Sequence, residues 1–254
     1  MRDLHIHTAF SDGRDAPEDM VEEALRRGLT EIGFSDHSHA AWDECGMSTE
    51  GTEGYRAEIR RLKEKYRGRI RIRLGLERDY YSDDRLEYDY VIGSVHGVRM
   101  PDGHVFCVDW QPERMEADIH TYFGGDWYAL AEAYYRAEAD VVRQTGCDII
   151  GHFDLLTKYN EQRRWFDPAH PRYVRAWQDA AERLLATGKV FEINTGALSR
   201  GYRTEPYPAA PIRAWLRERG AKMILSSDAH RREHIAYSFE KYEDEIGPAG
   251  DSLG

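Results

Sequence analysis

Cysteine is scarce in this chain, and long apolar runs are missing altogether. Cys45, Cys107 and Cys147 are odd in number, widely spaced and form no CxxC pair. That excludes a disulfide framework and a thiolate zinc site, and it suits a reducing cytoplasm. No stretch approaches the roughly 18 consecutive apolar residues that a membrane-spanning helix requires. The opening Met1-Arg2-Asp3-Leu4-His5-Ile6-His7 lacks the apolar core of a secretory signal, so the mature chain is expected to begin at Met1. Positive charge is also in short supply: 35 Lys+Arg stand against 46 Asp+Glu, a formal net charge of −11 over 254 residues. With no basic run, neither general nucleic-acid affinity nor attachment to an anionic membrane is expected. A small charged substrate stays open, because a local site can oppose the global sign. No Pro/Ser-rich linker or low-complexity tract interrupts the chain, and one domain over 1–254 is the economical reading.

What the chain does have is a repeating unit: an amphipathic segment, a glycine, then a short apolar run ending in a polar or chelating side chain. Pro17 sits where a helix begins, Met20, Val21, Ala24 and Leu25 follow at helical spacing, and Gly28 closes the element. The strand 31–35 then runs into Asp36-His37. Later copies carry a buried stripe of Val174, Trp177, Ala181, Leu184 and Leu185 before the strand 190–194, and Ile212, Trp215 and Leu216 before 223–228. A long helix is expected over 130–144, and further strands over 3–8, 70–77, 90–96 and 148–152. Polar residues end strand after strand around the whole set. That favours a barrel, whose chemistry collects at the C-terminal strand ends, over an open sheet with one switch point. Two long connections, 38–51 and 99–125, are expected to lie over the site as lids.

Histidine is plentiful, with 11 in the chain. His5 and His7 stand two apart on a strand, so the pleat sets both imidazoles on one face, able to converge on one ion. Asp228-Ala229-His230 repeats the spacing, and His37, Glu77, His96 and His152 each end another strand. Asp12, in the turn Ser11-Asp12-Gly13, can reach the same mouth. Glu77 closes an apolar strand, where a carboxylate is costly to bury unless paired or metal-bound. Imidazole and carboxylate without thiolate suit Zn, Mn or Fe(II). Glu192 and Asn194 share a face behind these ligands. His39 competes with His37 for one site, with His37 preferred because the strand ends nearer to it. His104, His120, His170 and His234, without strand placement, read as surface or lid residues.

In this order, His5-x-His7-Thr8, Ser11-Asp12-Gly13, Asp36-His37, Gly75-Leu76-Glu77, Gly93-Ser94-Val95-His96, Gly151-His152, Glu192-x-Asn194 and Ser227-Asp228-Ala229-His230 resemble the PHP family of metal-dependent phosphoesterases. The likeness spans residues 5 to 230. Within the family, the chain's size, the run 194–198 and the lead-in 123–126 are similar to the monofunctional histidinol-phosphate phosphatases. The resemblance implies a distorted (βα)7 barrel, α/β in class, with two or three divalent ions at its C-terminal mouth. It also implies a division of ligands: His5, His7, Glu77 and Asp228 for one ion, Glu77, His96 and His152 for a second, and Asp12, His37 and His230 for a third. Glu77, His96, Asp228 and His230 are then the catalytic set.

The implied activity is hydrolysis of L-histidinol phosphate to L-histidinol and phosphate, with a hydroxide shared between metals as nucleophile. Three ligand carboxylates and three divalent ions would leave the mouth locally cationic, as an anionic substrate needs. Lys158 and Arg200 are the expected phosphate contacts, with Arg163, Arg164 and Arg231 as alternatives, and Asp154 or Glu192 is expected to receive a substrate ammonium. Two other functions fit the same residues less fully: a phosphoesterase for nucleotides or sugar phosphates, and a metal-binding protein without turnover. Against the latter, ligands facing an open mouth leave coordination positions for substrate.

Overall fold

The computed structural model describes residues 1–246. Its strands are Arg2–Asp3 (β1), Glu31–Phe34 (β2), Arg71–Asp79 (β3), Tyr90–Ser94 (β4), Gly97–Arg99 (β5), Val105–Cys107 (β6), Ile149–Ile150 (β7), Val190–Asn194 (β8) and Met223–Ser226 (β9). The α-helices are Pro17–Arg26 (α1), Thr49–Lys65 (α2), Pro112–Phe123 (α3), Trp127–Glu138 (α4), Val141–Thr145 (α5), Asn160–Arg163 (α6), Pro171–Leu185 (α7), Gly196–Ser199 (α8) and Ala210–Glu218 (α9). All strands but β5 and β6 form one parallel sheet in the order β1-β2-β3-β4-β7-β8-β9. The ends of that sheet meet through a single parallel bridge, Ile6 to Ala229, in which His7 N–H donates to the Ala229 carbonyl at 3.0 Å and Ala229 N–H to the His5 carbonyl at 3.2 Å. The result is a nearly closed seven-stranded barrel.

Strand alternation sorts the side chains into two layers. Val91, Phe191, Ile193, Met223 and Leu225 are on one face of their strands, and all but Val91 belong to the large cluster shared with α4, α7 and α9. The opposite face contributes Tyr90, Ile92, Val190 and Ile224, which meet Leu4 and Ile149 in a small separate cluster inside the barrel. Tyr90 fills this interior, its hydroxyl donating to the Leu4 carbonyl at 2.5 Å. Gly33 and Gly75 make room for its ring: a Cβ on either would come within 2.3 Å of the Tyr90 hydroxyl or 2.2 Å of its Cζ. Glu77 and Asp79 follow Gly75 on the same face, as Glu192 and Asn194 follow Val190. The alternation that packs the barrel therefore also delivers these polar groups to its C-terminal mouth.

Several local expectations hold in detail. Helix α1 begins at Pro17, carries Glu18 and Asp19 in its first turn and Arg26 in its last, and buries Met20, Val21 and Ala24. Strand β8 spans the residues the pattern assigns to it. The single helix over 130–144 does not form. The segment divides into α4 and α5, with Asp140 between them bonded to Arg143 and to the Tyr80 hydroxyl. The 99–125 connection carries secondary structure of its own: its start pairs with β6 as the β5–β6 hairpin, α3 follows, and Met100, Phe106, Val108, Met115 and Ile119 join the main core.

Glu138, at the end of α4, is fully buried. Its Oε1 accepts from the Tyr134 hydroxyl at 2.8 Å, while Oε2 has no hydrogen-bond partner. Burial holds its pKa well above the usual 4.5, so the folded state binds a proton that the unfolded chain releases near that pH. Its contribution to stability is therefore complete below about pH 4.5 and is lost as pH rises toward the raised folded value, with a limiting slope of about 1.4 kcal/mol per pH unit. Glu138→Gln imitates the protonated form. Urea midpoints at pH 5 and pH 8 should show the variant gaining on the wild type at the higher pH, whereas a difference independent of pH would refute a neutral Glu138.

Candidate metal centre

The side chains at the mouth come from six strand ends: His5, His7 and Asp12 after β1, His37 after β2, Glu77 on β3, His96 after β4, His152 after β7, and Asp228 and His230 after β9. Asp36 shapes the first loop by accepting from the Thr8 and Ser11 backbone N–H groups and from both hydroxyls, at 2.6 to 3.2 Å. That fold of the loop brings Asp12 beside His230, Oδ2 to Nε2 3.0 Å. Asp228 follows β9 with φ of 49°, a left-handed conformation that Asp tolerates better than most residues, and turns its carboxylate back over the barrel. Gly196 is required opposite it, since a Cβ there would sit 2.8 Å from the Asp228 carboxylate and 2.9 Å from the Arg200 guanidinium.

Glu77 is the hub. Its Oε2 lies 3.3 Å from Nε2 of both His5 and His7 and 3.0 Å from Nδ1 of His37, and its Oε1 lies 3.3 Å from Nε2 of His96 and 2.9 Å from Nε2 of His152. The two oxygens thus separate the histidines, with His5 and His7 on one side and His96 and His152 on the other. Asp228 Oδ1 faces the first pair, at 3.7 and 3.2 Å. Donor atoms within 4.8 Å of one another form three groups: His5, His7 and Asp228; His7, Asp12, His37 and His230; and His37, Glu77 and His96. The third group holds His37 where the family pattern implies His152, although His152 Nε2 also lies 2.9 Å from Glu77 Oε1.

Despite these close approaches, the buried His5 Nε2, both nitrogens of His7, Glu77 Oε2 and His152 Nδ1 form no hydrogen bond. An array of imidazole and carboxylate atoms left unpaired in the interior is costly unless something binds it, and this donor set fits divalent first-row ions. The electrostatics divide the histidines: burial, then the neighbouring His230 and His37, lower the His7 pKa to about 3, a neutral imidazole as a ligand must be, whereas at His5, His37 and His96 burial is outweighed by nearby carboxylates, Glu192 and Glu77 foremost, which raise the pKa. Burial opposes ionisation of Glu77 and Asp228, yet the imidazoles around Glu77, and Arg200 with His5 beside Asp228, hold both carboxyls well below the ordinary range.

A second layer orients the first. Glu192 Oε2 lies 2.8 Å from His5 Nδ1 and also accepts from the Ser226 hydroxyl, while its Oε1 accepts from the His152 N–H and from Asn194. Asp79 does the same for His96 Nδ1 at 3.2 Å and takes the Trp42 indole N–H from the 38–51 segment. Carboxylates behind ligating histidines fix the tautomer and aim the metal-facing nitrogen. Sequence reasoning found Glu192 and missed Asp79, although its spacing two residues after Glu77 puts it on the same face.

The cavity over these groups is about 240 Å³, lined by Asp12, His37, Glu77, His96, His152, Asp228 and His230 together with Asp109, Leu155, Lys158, Arg200 and Tyr202. Arg200 donates to Asp228 Oδ2 at 3.0 Å and lies 2.7 Å from His230 Nδ1. Lys158 donates to the Asp109 carbonyl and carboxylate at 3.1 and 3.4 Å. The alternative basic residues lie elsewhere: Arg163 pairs with Glu113 and Glu116, Arg164 lines a different cavity, and Arg231 is exposed outside the mouth. Neither carboxylate assigned to an ammonium lines this cavity. Asp154 is fully buried, its Oδ2 held by Arg203, Thr157 and the Ala209 N–H while its Oδ1 forms no hydrogen bond, and Glu192 is spent on His5, His152, Asn194 and Ser226. His39, half-exposed near Asp83, and His104, which stacks on Tyr122, stand apart from the cluster.

The PHP domain profile matches residues 3–196. The chain is 29% identical to the probable histidinol-phosphatase of Deinococcus radiodurans over 98% of its own length and 93% of that protein's. Against the histidinol-phosphatase of Bacillus subtilis it is 28% identical, over 95% of this chain and 97% of the relative. It superposes on the Lactococcus lactis histidinol phosphate phosphatase, a structure in complex with zinc, L-histidinol and phosphate, with a TM-score of 0.75 at 24% identity, covering 98% of this chain and 93% of that one.

Proposed function

Because the chain belongs to the PHP domain family, we propose that it is a metal-dependent phosphomonoesterase that hydrolyses L-histidinol phosphate to L-histidinol and phosphate. The observation that carries this reading is the mouth itself, where nine potential ligands, His5, His7, Asp12, His37, Glu77, His96, His152, Asp228 and His230, meet around Glu77 beside Arg200 and Lys158. Curated relatives matched along nearly their whole lengths bear the same activity in their names, and the Lactococcus protein holds L-histidinol and phosphate.

His5, His7, Glu77 and Asp228 would hold one divalent ion, Glu77, His96 and His152 a second, and Asp12, His37 and His230 a third. Zn, Mn and Fe(II) all suit these donors. Such ions supply Lewis acidity and lower the pKa of water from 15.7 to about 7. The protein's own part is positioning and charge. Arg200, fixed by Asp228, has further N–H groups to offer a phosphoryl oxygen, and the Lys158 ammonium adds positive charge to the same cavity. Burial resists its charge, but Asp109 beside it keeps the Lys158 ammonium protonated. Glu192 and Asp79 keep His5 and His96 aimed while charge shifts in the mouth.

Among the described residues no helix is long and apolar enough to cross a membrane. A small phosphate ester as substrate and a reducing cytoplasm as compartment complete the reading, the latter supported by three free thiols. The test is phosphate release from a panel of L-histidinol phosphate, nucleoside monophosphates and sugar phosphates by manganese- or zinc-loaded protein. L-Histidinol phosphate should exceed the others by orders of magnitude in kcat/KM. A nucleotide or sugar phosphate in first place would keep the phosphoesterase and discard the substrate.

A further inference from the structure

We propose that Asp109 is the residue that selects an amine-bearing phosphate ester, its carboxylate receiving the substrate's ammonium group. This rests on the reading that the substrate is L-histidinol phosphate, and it replaces Asp154 and Glu192 in that role.

Elimination and geometry lead to the same side chain. Four carboxylates line the mouth, Asp12, Glu77, Asp109 and Asp228. Three of them lie within the histidine cluster, which leaves Asp109 alone outside it. The hairpin explains its placement. Strand β5 starts immediately after His96, β6 pairs back on it with Gly97 opposite Cys107, and the Val108 N–H donates to the His96 carbonyl at 2.9 Å. Asp109 is therefore held beside a ligand strand end on a wall packed into the core. Its Oδ1 accepts from the Cys107 thiol at 3.0 Å, and among the described residues Oδ2 accepts a hydrogen bond only from Lys158, at 3.4 Å. Oδ2 thus keeps lone pairs for a second cation.

A substrate with its phosphate against Arg200 and the ligand cluster reaches Asp109 across a cavity of about 240 Å³. The ammonium then shares or displaces the Lys158 contact, and the released Lys158 Nζ is free to turn to the phosphate. Leu155 and Tyr202 supply the apolar wall that a substrate ring needs, and Lys158 already lies 5.0 Å from the Tyr202 ring. An ester without the amine would leave Asp109 to Lys158, which holds that cation back from the phosphate. The arrangement selects against such esters as well as for the amine.

The test compares L-histidinol phosphate with its desamino analogue, 3-(imidazol-4-yl)propyl phosphate, on metal-loaded wild type and Asp109→Asn. A lost charge-assisted hydrogen bond should lower the ratio of kcat/KM for the amine over the desamino ester about 10- to 100-fold, mainly through KM. Calorimetric binding of L-histidinol should weaken by a similar factor, and Asp109→Glu should recover part of both. An equal loss on the two esters, or an intact ratio, would overturn the proposal and leave Asp109 as a tether for Lys158. If wild-type protein hydrolyses neither ester but cleaves another phosphate from the panel, the substrate assignment itself falls, and the selective role of Asp109 with it.

Discussion

Glu77→Gln is expected to abolish turnover, by at least about a thousandfold, and to strip the metals from both sides of the bridging position while the barrel stays folded. A carboxylate whose two oxygens lie within 3.3 Å of five imidazoles has no substitute in an amide, which offers one acceptor and a donor that repels metal. Loss of the ion removes both the activated water and the charge stabilisation, and each factor of ten in rate is about 1.4 kcal/mol of barrier. The apolar clusters that hold the barrel do not include Glu77. Metal analysis after gel filtration, steady-state rates and far-UV circular dichroism read the three parts separately. A variant with full metal content and full activity would refute the bridging role, and one that does not fold would move Glu77 into the structural core.

Arg200→Ala should lower kcat/KM for phosphate esters about 100- to 1000-fold with metal content preserved. Two charge-assisted hydrogen bonds to a phosphoryl group, at roughly 1.5 to 3 kcal/mol each, set that range once overlap between them is allowed for. Metal should stay because Arg200 takes Oδ2 of Asp228 and leaves Oδ1 facing His5 and His7. Loss concentrated in kcat would mean that Arg200 acts chiefly in the transition state, and loss in KM alone that it binds substrate and transition state equally. Unchanged kinetics would shift phosphate binding to Lys158. Depleted metal would recast Arg200 as a support for Asp228.

The barrel and the residues gathered at its mouth were legible in the sequence because one physical pattern encodes both. Period-two strands that pack apolar residues inside a barrel must end somewhere, and His5, His7, Glu77, His96, His152 and Asp228 occur where they end. Asp12 was readable only through its closeness in sequence to His5-x-His7, and the structure shows Asp36 tying the loop that carries it. What local pattern could not reveal is how carboxylates are spent. Asp154 and Glu192 read as free acids near strand ends, whereas tertiary contacts bind the first to Arg203 and the second to four partners. Asp109 sits in a long connection whose hairpin pairing, not its composition, carries it to the mouth. The break between α4 and α5 was hidden for a related reason: apolar spacing runs on past Asp140, and only its bonds to Arg143 and Tyr80 mark the junction.

The central claim is that the clustered side chains form a metal centre that hydrolyses L-histidinol phosphate. Its most direct measurement is phosphate release from that ester by protein stripped with a chelator and then titrated with manganese or zinc. The stripped protein should be inactive, and activity should return in proportion to bound metal, saturating at two or three ions per chain. Undiminished release by thoroughly stripped protein, or none at any metal loading, would contradict the claim.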